Sequence, residues 1–177
     1  GAASYDILMR DLTAARDDPK VKAVVFCFDT PGGDASQVGE LAAAIRAVTS
    51  VKPVIAYVGS QACSAGYWLA AACSEVVVDA TAILGSIGVQ MAMRETEDPK
   101  GTTTYRFVSS QSPMKNADPG SKEGAQHIQG VVDAMAQVFI DSVANYRGTD
   151  TETVLSNFGK GGIFVGVDAV NAGLADR

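Results

Sequence analysis

The residue best placed to do chemistry is Ser64, in the stretch Ala62-Cys63-Ser64-Ala65-Gly66. It falls between a run that reads as a strand and one that reads as a helix. On such a turn the hydroxyl projects from the carboxyl edge of a sheet, and the helix start offers free N–H groups and a positive dipole end. Its small neighbours let a substrate backbone come close. This is how a serine nucleophile for acyl transfer is presented. A plain N-cap serine occupies the same position, and position alone leaves both readings open. The second feature is Asp29-Thr30-Pro31-Gly32-Gly33, where glycines after an apolar run present bare backbone N–H groups. Acyl transfer needs two such donors on the developing oxyanion, and losing one costs on the order of 10²–10³ in rate. The natural pair is the N–H of Gly33 and that of Ala65, with Gly32 shaping the loop. An ordinary tight turn is the alternative.

A serine hydroxyl needs a base. His127 is the single imidazole and reads as a helix-flank residue beside an apolar stripe. The other option is lysine, which near neutral pH must titrate roughly 3 pH units below its ordinary 10.4, a difference of about 4 kcal/mol. Burial away from carboxylates can supply that. Lys115 lies in a polar loop punctuated by Pro and Gly, with no acid within two residues on either side. It is the candidate base, although spacing alone does not select it. Lys22, Lys52, Lys100, Lys122 and Lys160 read as solvated charges. One His, and three Cys (27, 63, 73) without C-x-x-C spacing, give no material for a zinc site or a disulfide framework. Neither a metal nor a cofactor is expected. Cys63, beside the candidate nucleophile, reads as a small buried side chain.

These residues need elements to hold them. Residues 5–16 read as a helix, with Ile7, Leu8, Leu12 and Ala15 on one face and Pro19 behind it. Val21 to Asp29 is a buried strand by its β-branched and aromatic content. A helix with Val38, Leu41, Ala42, Ile45 and Val48 on its apolar face follows. Then come a strand (Pro53 to Val58), a turn (Gly59 to Cys63), a buried helix (Ser64 to Cys73) and a strand (Val76 to Val78). This alternation predicts right-handed βαβ crossovers and a mostly parallel sheet, an α/β fold. Short apolar runs surround Gly85 and Gly88. Residues 94–101 read as a solvated loop, Tyr105 to Ser109 as a strand, and 109–121 as a polar loop. Ser121 then caps a long helix that Gly148 ends, and short helices at 151–157 and 168–172 close the chain. A length of 177 residues and a 47% hydrophobic composition indicate one globular domain that buries most of its unfolded surface. The net charge of −6 argues against nucleic acid as a partner, and no run of 18 apolar residues spans a membrane.

Taken in order, Asp29-Thr30-Pro31-Gly32-Gly33, Cys63-Ser64-Ala65-Gly66 and Leu84-Gly85-Ser86-Ile87-Gly88-Val89, with the closing Ala172-Gly173-Leu174-Ala175-Asp176, resemble the signal peptide peptidase A family of serine proteases. The closest resemblance is to its phage branch, the capsid (prohead) maturation proteases, and it covers about residue 5 to 177. It implies a Clp-protease/crotonase-like spiral of βαβ units. It also implies a Ser–Lys dyad without His: Ser64 as nucleophile, Lys115 as general base, Ser86 orienting Lys115, and the Gly32-Gly33 loop on the oxyanion.

The implied function is a serine endopeptidase of phage or prophage capsid maturation, acting on scaffold or capsid proteins in the host cytoplasm or prohead. The implied partners are a polypeptide substrate and further copies of the chain, with the active site shared between protomers. The alternative within the family is a bacterial, membrane-associated peptidase that degrades cleaved signal peptides. Outside it stand a non-catalytic scaffold and a crotonase-like acyl-CoA enzyme, which would want a basic patch that is not seen. The family's additional N-terminal strand is not found before residue 5, which suggests a trimmed or self-cleaved chain and an unpaired sheet edge.

Overall fold

The computed structural model describes residues 3–94, 105 and 107–177. The chain divides into two compact units: Gly1–Gly88 with Gln137–Arg177, and Val89–Ala136.

The first unit is built on a five-stranded sheet. Helix α1 (Tyr5–Asp17) leads into β1 (Val24–Thr30), α2 (Val38–Val48) and β2 (Val54–Cys63). Helix α3 (Ala65–Ala71), β3 (Glu75–Val78) and β4 (Ile83–Gly85) follow directly. After the long α4 (Lys122–Arg147) come α5 (Thr151–Asn157), a 3₁₀ turn at Gly159–Gly161, β5 (Ile163–Val165) and α6 (Val167–Ala172). Strands β1, β3 and β4 all pair with β2 in parallel, and β5 pairs with β4 antiparallel. The mostly parallel α/β sheet read from the sequence is present.

Strand β2 is the axis of this arrangement. Its first half, Ile55 to Val58, pairs with β3, and its end, Gln61 to Cys63, pairs with β4. Between them the register with β1 slips: Phe28 faces Val58, but Thr30 faces Ala62. One residue of β1 therefore spans three of β2. The turn expected at Gly59 to Cys63 is not there: β2 runs on through Cys63. The polar Gly59-Ser60-Gln61 stretch is an irregularity within one ten-residue strand, and it is where β2 changes partner.

The core follows the spacing. All five residues of the α2 stripe (Val38, Leu41, Ala42, Ile45, Val48) are buried, as a 3-4 repeat on an amphipathic helix requires. Every residue of α3 is buried. Within it, the Tyr67 hydroxyl donates to the Leu174 carbonyl at 3.0 Å, which satisfies the buried polar atom. Trp68 stacks on Phe139 of α4 with ring centroids 4.5 Å apart. Arg147 at the end of α4 grips the C-terminal segment. It donates to the Gly173 carbonyl (3.1 Å) and to both Asp176 oxygens (3.0 and 2.8 Å), while Asp176 accepts the Val76 N–H. Lys52 is not the solvated charge expected. Its Nζ donates to the carbonyls of Ala15 and Asp18 at 2.7 and 2.6 Å, satisfying the Ala15 acceptor in the last turn of α1.

The second unit contains the expected polar loop and the start of α4. Gly120 N–H donates to Asp118 (2.8 Å), and Ser121 Oγ accepts the Gly124 N–H (3.0 Å), which is the cap read from the sequence. The strand expected at Tyr105 to Ser109 is not formed by the described residues of that stretch, 105 and 107–109. Phe107 is 93% exposed. β-propensity expresses itself through pairing and packing, and these residues have no strand partner among the described residues. Most of the 94–101 loop lies outside the described residues. Among the described residues no helix is long and apolar enough to cross a membrane.

Candidate active site

Ser64 joins the end of β2 to the start of α3 with φ 52° and ψ −124°. These are the dihedrals of a mirror-image turn position that glycine normally fills. Holding a serine there costs on the order of 1–3 kcal/mol. Such a cost persists only where the surroundings impose it, and here they do. The Ser64 N–H donates to the Gly85 carbonyl (2.9 Å), and its own carbonyl accepts the Trp68 N–H (3.0 Å). Ser64 occupies the N-cap position of α3, yet its side chain makes no capping hydrogen bond. Ser64 therefore does not act as a side-chain cap, and its half-buried hydroxyl is not spent on the helix.

The glycine loop comes directly against this serine. Gly32 has φ 124°, and a Cβ built on it would lie 2.8 Å from Ser64 Cβ and 3.3 Å from Ser64 Oγ. Only a residue without a side chain lets the loop pass so close. Thr30 pins the loop from one side, its Oγ1 accepting the Gly32 N–H (3.2 Å) and donating to the Gly32 carbonyl (3.1 Å). Tyr5 of α1 pins it from the other, its hydroxyl donating to the Asp34 carbonyl at 2.9 Å. Burial, and then the nearby Asp34 carboxylate, raise the Tyr5 hydroxyl above its ordinary range, so it stays a donor. The Asp34 carboxyl accepts the Ser36 N–H (2.8 Å), which holds it below the ordinary carboxylate range. The N–H groups of Gly33 and Ala65 find no acceptor among the described residues.

A groove of about 680 Å³ opens beside these donors. Its lining includes Gly32, Gly33, Ala65 and Gly66 together with the apolar Leu8, Phe26, Phe28 and Leu69. It follows β1, which pairs only with β2 among the described residues. An extended peptide laid there meets an unpaired strand edge and apolar space for side chains.

The sheet also sets the place of Ser86. Cys63 and Gly85 face each other in the β2–β4 ladder, so Ser64 and Ser86 each follow the last paired residue of neighbouring parallel strands. Adjacent strands lie about 4.8 Å apart, which puts the two serines at one sheet edge. Ser86 has φ 54°, and its N–H donates to the Gly162 carbonyl at 2.7 Å. Lys115 belongs to the second unit, in an exposed turn where its N–H donates to the Ser112 carbonyl at 3.0 Å. His127 is exposed on α4. The Cys63 thiol is buried, and burial pushes it up, so it is a poor thiolate source beside Ser64. No cluster of His, Cys, Asp or Glu suited to a metal ion occurs among the described residues.

Two functional contacts were missed by sequence reasoning, those of Tyr5 and Thr30. Thr30 stood inside the quoted glycine motif. Tyr5 lies 29 residues from Asp34, and no local pattern links them.

Residues 46–177 match Peptidase family S49. The whole chain is similar to the capsid assembly protease C of Escherichia phage lambda, at 33% identity over 41% of that protein. It is similar likewise to the head-tail preconnector protein GP5 of Enterobacteria phage P21, at 31% identity over 36% of that protein. Protease 4 of Salmonella typhi is 32% identical over 99% of the chain and 29% of its own length. The chain thus spans less than half the length of these curated relatives.

Proposed function

Because the chain belongs to peptidase family S49, with the mostly parallel α/β sheet of its Clp-protease-like fold, we propose that it is a serine endopeptidase with Ser64 as nucleophile and Lys115 as general base. The observation that carries this reading is the Ser64 hydroxyl, which makes no capping hydrogen bond, at a strained strand-to-helix turn packed against Gly32. Lys115 is exposed in the single chain, and in this reading the assembled, substrate-bound site buries it, so that its neutral amine takes the Ser64 proton. Ser64 Oγ then attacks the scissile carbonyl, and the N–H groups of Gly33 and Ala65 hold the oxyanion. Protonated Lys115 gives its proton to the leaving amine, and water releases the acyl group from Ser64. Ser86, at the same sheet edge as Ser64, orients Lys115 and forms no bond to substrate. The apolar lining of the groove favours apolar side chains near the cut.

The names of the two phage relatives support a role in capsid assembly, with capsid or scaffold proteins as substrates in the prohead or host cytoplasm. The working form is a homo-oligomer in which Lys115 of one protomer serves Ser64 of the same or the next.

The test is cleavage of an unstructured protein by wild type, Ser64→Ala and Lys115→Ala, with oligomer size measured in the same samples. Each substitution is expected to lower turnover by roughly 10⁴-fold or more while leaving the melting temperature in place. Near-wild-type turnover of Lys115→Ala would remove the dyad. Near-wild-type turnover of Ser64→Ala would remove the serine mechanism altogether.

A further inference from the structure

Thr30 does more than end a strand. Its hydroxyl makes two hydrogen bonds to one residue, accepting the Gly32 N–H and donating to the Gly32 carbonyl. That closes the backbone of the glycine loop onto the threonine side chain. Its methyl group has a separate task. A Cβ built on Gly66 would overlap Thr30 Cγ2, so the start of α3 rests on that methyl. Thr30 is also the last residue of β1 in register with β2, opposite Ala62. One residue therefore meets three parts: its side chain touches the loop carrying the Gly33 N–H and the helix start carrying the Ala65 N–H, and its backbone pairs in register with the strand leading to Ser64.

We infer that Thr30 is a positioning residue that sets the separation of the Gly33 and Ala65 N–H groups, and so the geometry of the oxyanion site. The inference rests on the serine peptidase reading above. An oxyanion pair works only when both donors point at one place, about 2.7–3.1 Å from the developing charge. Gly32 and Gly33 have no side chains to anchor them, and glycine is the residue with most backbone freedom. Without the hydroxyl clamp the Gly33 N–H is free to wander relative to Ala65. The ground-state carbonyl tolerates that, whereas the transition state does not, so the effect falls on kcat rather than KM.

The variants are Thr30→Val, which keeps the shape and removes the hydroxyl, and Thr30→Ser, which keeps the hydroxyl and removes the methyl. In Thr30→Val, kcat is expected to fall between about 10-fold and 100-fold, with KM within about twofold of wild type. Thr30→Ser is expected to recover most of that loss. A second readout is hydrogen exchange of the Gly32 amide, which should quicken in Thr30→Val and stay near wild type in Thr30→Ser.

Wild-type kcat in Thr30→Val overturns the inference. So does a Thr30→Ser variant as slow as Thr30→Val, because the hydroxyl would then not be the agent. If wild type shows no Ser64-dependent cleavage, the peptidase reading falls and the catalytic role of Thr30 with it. Without Ser64-dependent cleavage, Gly32 exchange that still quickens only in Thr30→Val shows a clamp with no oxyanion to serve, which separates failure of the peptidase reading from failure of the clamp. Exchange unchanged in both variants marks the failure of the clamp itself.

Discussion

Two elbows in the first unit share one backbone conformation and differ in what occupies it. At the first, β2 passes through Ser64 (φ 52°, ψ −124°) into α3. At the second, β5 passes through Gly166 (φ 47°, ψ −119°) into α6. Each is a strand, one residue of mirror-image geometry, and a helix of six or seven residues. At Gly166 the fold uses the residue the geometry asks for. A Cβ there would overlap the Ala80 carbonyl oxygen, so no other residue fits. At Ser64 the fold keeps a side chain and bears the strain. The difference separates an elbow that only turns the chain from one that presents a group. On the peptidase reading proposed above, the Ser64 hydroxyl is what this strain serves, because glycine would build the same turn more cheaply.

The largest effect on stability is expected at the structural elbow. Gly166→Ser combines an unfavourable φ, about 1–3 kcal/mol, with overlap against Ala80, about 1–3 kcal/mol more. A loss of about 2–6 kcal/mol is expected in denaturant unfolding, with the Ser64 site still reactive in the folded fraction. Wild-type stability for Gly166→Ser would break the comparison, since the two elbows would then tolerate the same residues.

A smaller effect concerns what holds the second elbow in place. The segment after α6 is clasped by Arg147, which meets both oxygens of Asp176. Burial opposes the Asp176 charge, but the Arg147 and Val76 hydrogen bonds outweigh it, and the carboxyl lies below the ordinary carboxylate range. The folded state thus binds this proton more weakly than the unfolded chain does. Its contribution is fully present above about pH 4–5 and is lost as pH falls through the lowered value. Asp176→Asn is expected to cost about 1–2 kcal/mol at pH 7, kept modest by the partial exposure of Asp176. It should also flatten the loss of stability on acidification below pH 4. A variant whose acid unfolding parallels that of wild type would remove the clasp from this role.

The two elbows were unequally legible in the sequence. Ser64 announced itself through small neighbours between an apolar strand run and a helical run. Gly166 did not, because β5 has only three residues and pairs with the equally short β4, too little for a period-two pattern. The α2 stripe and the Ser121 cap were readable because they are local. The length of β2 was not. Gly59-Ser60-Gln61 carries turn composition, and only the change of partner from β3 to β4 explains why the strand continues. The same holds at the site. Ser64, Ser86 and the glycine loop lay within recognisable motifs, whereas Tyr5 on Asp34 and Lys52 on the end of α1 act across 29 to 37 residues.

The smallest expected change in stability is also the sharpest test of the comparison. Ser64→Gly removes the Cβ that makes the elbow strained and gives up a hydroxyl with no capping bond. Relief of about 1–3 kcal/mol is partly offset by the entropy of an extra glycine, about 0.5–1 kcal/mol. A net gain of about 1 kcal/mol is expected from thermal or denaturant unfolding. Ser64→Ala, which keeps the Cβ, should stay at the wild-type value, and both variants should be equally dead in cleavage. That pattern separates strain from chemistry at one atom each. If Ser64→Gly is no more stable than Ser64→Ala, the elbow is unstrained, and the serine is there because the turn accepts it.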